Sequence, residues 1–218
     1  MYSDNWTDKF IKEKLANHDN IDSIIIENRN YVRISRKEGT SFLTFTMSLE
    51  YINHEVLTEI IDSNDEIDFI VNIKKEYRLS EKSFDILYSN QISFGGVGDF
   101  MRFANQWDNI FYTDQEFQFV SRALEQHDKV TSIKRLDNKR IQIERDSLED
   151  VIIVMNNDYD LNIESVRSLK SKFADFKVMV STNPSARVTS DAYEIAKTMD
   201  VDLCTWRDFL AKLNTFWN

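Results

Sequence analysis

Val151-Ile152-Ile153-Val154-Met155 is continuously apolar and mostly β-branched. A strand that alternates has one dry face, whereas a strand apolar at every position is covered on both. This run therefore predicts a central strand, about Asp150–Asn156, with helices above and below it. Outward from it, Val130–Leu136 and Lys139–Arg145 read as two further short strands joined by a hairpin. Upstream, Phe119, Val120, Ala123 and Leu124 repeat with helical spacing. Downstream come a helix over Asn162–Phe173, a strand over Phe176–Ser181, a helix over Thr189–Thr198, a strand over Val201–Cys204 and a helix over Arg207–Leu213. Asn162 and Thr189 are predicted N-caps, and Glu164 sits at the positive end of its helix dipole. The order is αβββαβαβα, an α/β (α+β) fold.

The first half of the chain reads the same way. A shift of 109 residues aligns it with the second half without a gap. Phe10, Leu15, His18-Asp19, Ser23-Ile24, Ile34, Arg36, Asn53, Glu55, Val71, Arg78, Ile86, Asp99-Phe100 and Asn105 all fall on identical residues. The matching strands are Ile21–Glu27, Tyr31–Arg36, Ser41–Met47, Ile67–Ile73 and Gln91–Phe94. The matching helices follow Phe10, Ile11 and Leu15, then cover Asn53–Ser63, Ser80–Ser89 and Asp99–Gln106. The 218 residues thus divide into domains 1–109 and 110–218. Between them Trp107, Ile110, Phe111 and Tyr112 replace the Gly, Pro and Ser of a flexible linker, which predicts a buried joint and a packed pseudo-dimer.

Composition narrows the function classes. Hydrophobic residues make up 42% and charged residues 29%, so the chain can build a core. There are 4 Gly and 1 Pro but 18 Asn, so turns rest on Asn, Asp and Ser. No apolar stretch is long enough for a membrane helix, and Met1 to Leu15 lacks the apolar core of a secretory signal. Cys204 is the only cysteine, which excludes an internal disulfide and fits a cytoplasmic setting. The net charge of -10 argues against broad phosphate binding and favours a protein partner with a basic face.

The run Val178-Met179-Val180-Ser181-Thr182-Asn183-Pro184-Ser185-Ala186-Arg187-Val188-Thr189-Ser190-Asp191-Ala192-Tyr193-Glu194-Ile195-Ala196-Lys197 resembles Mrr-type nucleases. An apolar strand ends in Ser-Thr, a short loop follows, and a helix opens with Thr and carries Ala-x-x-x-Ala-Lys. The αβββαβαβ order likewise resembles restriction-endonuclease-like domains. The resemblance covers residues 151–214 and reaches the first half through the repeat. It implies two tandem restriction-endonuclease-like domains.

In that family the third strand carries Glu/Gln-x-Lys, which helps to hold a divalent metal and polarise water. Val154-Met155-Asn156 and Phe45-Thr46-Met47 stand there, and no lysine occurs between Ile141 and Ser165. The resemblance therefore implies inactive copies: no catalytic residues, no metal and no cofactor. It suggests a non-catalytic inhibitor, decoy or assembly factor of phage biology or bacterial conflict, in the host cytoplasm if phage-encoded.

Several side chains are candidates beside this reading. Lys134, Arg135, Lys139, Arg140 and Arg145 form the densest basic stretch, with Arg33 and Arg36 at similar places in the first half. They predict a nucleic-acid contact, or a solvated hairpin guarded against edge pairing. Glu144 and Asp158, with Asp137 and Asp160, are the outside candidates for a relocated metal site in an active nuclease. Phe94-Gly95-Gly96-Val97-Gly98-Asp99 can cradle phosphate or make a tight turn into a helix. His18 and His127 suit a helix C-terminus, or base work with the Asp that follows each. Phe216-Trp217 is the candidate anchor for a protein partner.

Overall fold

The computed structural model describes residues 5–217. It divides into two compact units, residues 1–114 and 115–218. In unit 1, helix α1 (Trp6–Leu15) precedes strands β1 (Ile21–Asn28), β2 (Tyr31–Arg36) and β3 (Phe42–Met47). Then come β4 (Tyr51–Ile52), α2 (His54–Ser63), β5 (Ile67–Asn72), β6 (Arg78–Leu79), α3 (Glu81–Ser89), β7 (Ser93–Gly96) and α4 (Val97–Ala104). Unit 2 repeats that order: α5 (Gln115–Glu125), β8 (Val130–Arg135), β9 (Arg140–Arg145), β10 (Leu148–Asn156), β11 (Asp160–Leu161) and α6 (Ile163–Lys172). It continues with β12 (Val178–Ser181), β13 (Arg187–Val188), α7 (Ser190–Thr198), β14 (Asp202–Thr205) and α8 (Trp206–Lys212). The mixed α+β class and the predicted element order are observed in both units.

Each unit has one five-stranded sheet, β1-β2-β3-β5-β7 in the first and β8-β9-β10-β12-β14 in the second. The first three strands form an antiparallel meander, and the remaining two run parallel to the third. Helical crossovers join the parallel strands, as such strands require. Registers also agree at the 109-residue offset: Thr46 pairs with Val71 as Met155 pairs with Val180. Both edge strands shift register at the same place, between Ile21 and Ser23 and between Val130 and Ser132.

The run that opened the reading is central. Val151, Ile153 and Met155 pack with Val120, Leu124 and Phe209, whereas Val154 packs with Val166, Ala192 and Ala196. So β10 is dry on both faces, with α5 and α8 on one and α6 and α7 on the other. Unit 1 is layered likewise: Ile11, Leu15, Phe100 and Phe103 cover one face of the sheet, and Leu57 and Leu87 the other.

Local chemistry fixes the ends of the elements. Asn53 accepts from the Val56 amide and Asn162 from the Ser165 amide, the same cap in both units. Gln91 and Asp200, again at matching positions, take left-handed φ of 56° and 54°. The two-residue ladders β4·β6 and β11·β13 were not predicted, because two residues carry no periodicity.

The expected buried joint differs. Tyr112 is buried beside Phe69, but Trp107 and Ile110 are each 64% exposed. Tyr112 belongs to unit 1, which therefore extends beyond residue 109.

Candidate functional site

The basic hairpins separate into internal and external groups. Arg36 ends β2 and is buried. Its Nε donates to the Ala104 carbonyl at 3.1 Å, Nη2 to Phe103 O at 2.9 Å and Nη1 to Asn109 Oδ1 at 2.7 Å, with a further bond to Thr40 O. The guanidinium lies over the Phe42 ring, 4.3 Å from its centroid. It therefore clasps the C-terminus of α4 to the sheet through the last carbonyls of the helix.

Arg145 does the same in unit 2. Its Nε donates to Glu149 O, and Nη1 donates to Leu213 O at 3.1 Å and Thr215 O at 2.7 Å. Ala104 and Leu213 match at the 109-residue offset, as do Thr40 and Glu149. Burial pulls the pKa of both guanidiniums below its ordinary value. The identity of Arg36 and Arg145 in the repeat was the one sequence signal for this role.

Arg140 is buried too. Its Nε donates to Asp137 Oδ2 at 2.8 Å, while Asp137 Oδ1 accepts from the Lys139 and Arg140 amides. Asp137 is fully buried, so it is the staple of the β8–β9 turn and not an open metal ligand. Arg36, Arg140 and Arg145 thus donate inward and do not line a phosphate-binding surface.

The remaining four basic candidates lie further out. Lys134 is exposed on β8. Arg135 stacks over Phe117, 3.9 Å from the ring centroid. Lys139 pairs with Glu116 at 2.9 Å, and Arg33 pairs with Glu27 and with Glu66. The hydrogen bonds that Arg33 donates to Glu27 and then to Glu66 raise its pKa. The charge is thus balanced by carboxylates at Lys139 and Arg33.

Glu144 is exposed on β9, and Asp160 is exposed on β11. Asp158 accepts from Asn156 Nδ2 at 3.0 Å. Among the described residues no group of three or more His, Cys, Asp or Glu gathers into a possible metal site.

The third strands show what fills the resembled family's Glu/Gln-x-Lys position. Val154 and Met155 are fully buried, and Asn156 is 6% exposed. In unit 1 Thr46 is fully buried, hydrogen-bonded to the Asp8 carboxylate and to Thr7. Asp8 also accepts from the Asn30 amide. This polar knot ties α1 to β3 and to the turn between β1 and β2.

The other candidates have structural roles. The Asp99 side chain folds back over Gly95, where a Cβ would come within 2.4 Å of the Asp99 Cβ. Asp99 Oδ2 accepts from the Gly96 amide, so a carboxylate already occupies the start of α4. Tyr112 donates to the same carboxylate at 2.7 Å. His127 sits between the Lys129 amide, which it accepts at Nδ1, and the Leu210 carbonyl, 3.1 Å from Nε2. His18 accepts from the Asn20 amide, and Asp19 and Asp128 are exposed. Cys204 is buried, and burial pushes its thiol up to about 11. Phe216 is 68% exposed, whereas Trp217 stacks on Phe209 with 6.2 Å between centroids. The anchor candidate therefore reduces to Phe216.

No helix among the described residues is long and apolar enough to cross a membrane. No family model, curated protein or solved structure matches the chain.

Proposed function

We propose that the chain is a non-catalytic binding protein built on two nuclease-like units and acting through a protein partner. The observation that carries this reading is the content of the third strands. A water-polarising lysine and a metal-holding acid must reach the reacting phosphate. Val154-Met155-Asn156 and Phe45-Thr46-Met47 supply neither, and Met155 and Thr46 point into packed interior. The meander followed by parallel crossovers supports the nuclease-like design. The inward arginines and the net charge of -10 support a partner other than nucleic acid.

The test is a fluorescence-anisotropy titration of labelled duplex DNA at low and moderate salt with Mg²⁺, followed by a gel. The expected result is no binding at micromolar protein and intact DNA. Salt-sensitive binding, weakened by Lys134→Glu, would replace the reading with nucleic-acid recognition along β8 and its hairpin. Cut DNA would overturn the non-catalytic assignment. A protein that co-purifies in fixed stoichiometry with the intact chain is the positive outcome.

A further inference from the structure

We infer that the outer edge of β1 pairs, antiparallel and about a two-fold axis, with β1 of a second copy of this chain. Among the described residues β1 has β2 as its only strand neighbour, so one row of its backbone N–H and C=O groups faces away from the sheet. Proteins blunt such edges with lysine, proline, bulges or very short strands. β1 spans 8 residues; register shifts fall at Asp22 and Glu27 near its ends, and between them Ser23-Ile24-Ile25-Ile26 carries no charge, proline or bulge.

The matching edge of unit 2 shares the first of these bulges and adds basic residues to its middle. β8 spans 6 residues and carries Lys134 and Arg135 where β1 carries Ile25 and Ile26. In β1, Ile24 and Ile26 pack onto the unit 1 core, but Ile25 is 56% exposed. Its cross-strand neighbour is Arg33, whose guanidinium is drawn to Glu27 and Glu66. An apolar side chain thus stands beside an open hydrogen-bonding edge.

The residue pattern selects a second copy and one register. With Ile25 on the axis, it faces Ile25 of the other copy. Ile24 then faces Ile26, and Ser23 comes opposite Glu27, where the register shift ends the regular stretch. Apolar meets apolar, and no like charges oppose each other. A two-residue slip either way sets Asp22 or Glu27 against isoleucine. A one-residue slip turns Ile25 toward the side of the sheet where the partner packs Ile24 and Ile26. This self-complementarity is what an isologous interface demands. The pairing is small in area, so the association is weak and concentration-dependent. It is independent of the non-catalytic reading.

Cysteine cross-linking of the full chain tests it. Native Cys204 is buried and serves as the silent background. Directly opposed residues have Cα atoms about 4.5–5.5 Å apart, within disulfide reach. Ile25→Cys is therefore expected to form a disulfide-linked dimer at least tenfold faster than Ser23→Cys or Glu27→Cys alone. Those two sites lie roughly 13 Å from their own copies across the axis. A mixture of the Ser23→Cys and Glu27→Cys chains is expected to cross-link as a heterodimer. In sedimentation equilibrium, Ile25→Lys is expected to weaken association at least tenfold with unchanged circular dichroism. Ser23→Lys, placed to face Glu27, is expected to strengthen it. A chain monomeric at every concentration tested, or Ile25→Cys linking no faster than Glu27→Cys, would overturn the pairing.

Discussion

The two units share one topology and fill it differently. In unit 1 the face beneath α1 and α4 is aromatic: Phe42, Phe69, Phe100 and Phe103 meet with centroids 5.0–6.0 Å apart. At the corresponding places unit 2 has Val151, Val178, Phe209 and Lys212, with Trp206 and Trp217 packing against Phe209 from its flank. The caps, the bulges and the clasping arginine recur, while ring and aliphatic packing exchange freely. A fold of this kind is therefore specified more tightly by where buried polar groups are satisfied than by which apolar groups surround them.

The largest way to break the comparison is through the fillers. Phe69→Ala is expected to cost about 4 kcal/mol and Val178→Ala about 2 kcal/mol, because the larger ring leaves the larger cavity. Amide exchange of β5 and β12 measures the two separately. Similar costs would mean that the aromatic face collapses to fill its gap.

Next comes the turn staple. Asp137→Asn, which installs the residue that unit 1 carries at Asn28, is expected to cost about 3 kcal/mol by leaving Arg140 buried without its counter-charge. Adding Arg140→Tyr, the unit 1 residue at Tyr31, is expected to restore most of it. Additive losses in the double variant, read by urea unfolding, would refute the pairing of these two positions.

The clasps give a smaller contrast. Arg36 Nη2 bonds to Phe103 O, whereas Arg145 Nη2 is buried with no hydrogen-bond partner among the described residues. Arg36→Met is therefore expected to cost about 3 kcal/mol and Arg145→Met about 2 kcal/mol. Protection of the α4 and α8 amides reports each.

The smallest effect on stability is that of Cys204. Its folded pKa is raised, so the folded state keeps the proton that the unfolded state gives up. Stability from this group is complete below the ordinary thiol value of 9.0 and is lost as pH rises toward about 11. Alkylation at pH 8 should be at least about 100-fold slower than in denaturant, because the thiolate is the nucleophile. Fast labelling of the folded chain would place the thiol in an open site.

Much of the fold was legible because period carries it. The doubly covered β10, the meander before it and the Asn caps follow from residue type and spacing. The strand bounds Tyr31–Arg36 match the expected ones, whereas β7 starts at Ser93, later than expected, and includes Gly95. The role of the arginines was not legible. Arg36 and Arg145 look like surface charge on alternating strands, and only their acceptors, 67 to 70 residues further along, make them interior. The Gly-rich turn was ambiguous for a similar reason, since the carboxylate that fills it is a side chain and not a bound anion. The unguarded edge was visible as Ile24-Ile25-Ile26 against Ile133-Lys134-Arg135, but only strand order shows that both are edges.

The clasp also sets an order in time. Every acceptor of Arg36 lies at or before Asn109, so unit 1 can latch its last helix as soon as that stretch leaves the ribosome, before the strands of unit 2 have emerged. The latch of unit 2 waits for Thr215. During translation the first unit can therefore close behind the ribosome while the second still has its β9 guanidinium and its sheet open to solvent. A ribosome stalled between the two latches would hold one finished unit and one unsealed sheet, and chaperone contact is expected to fall on the second.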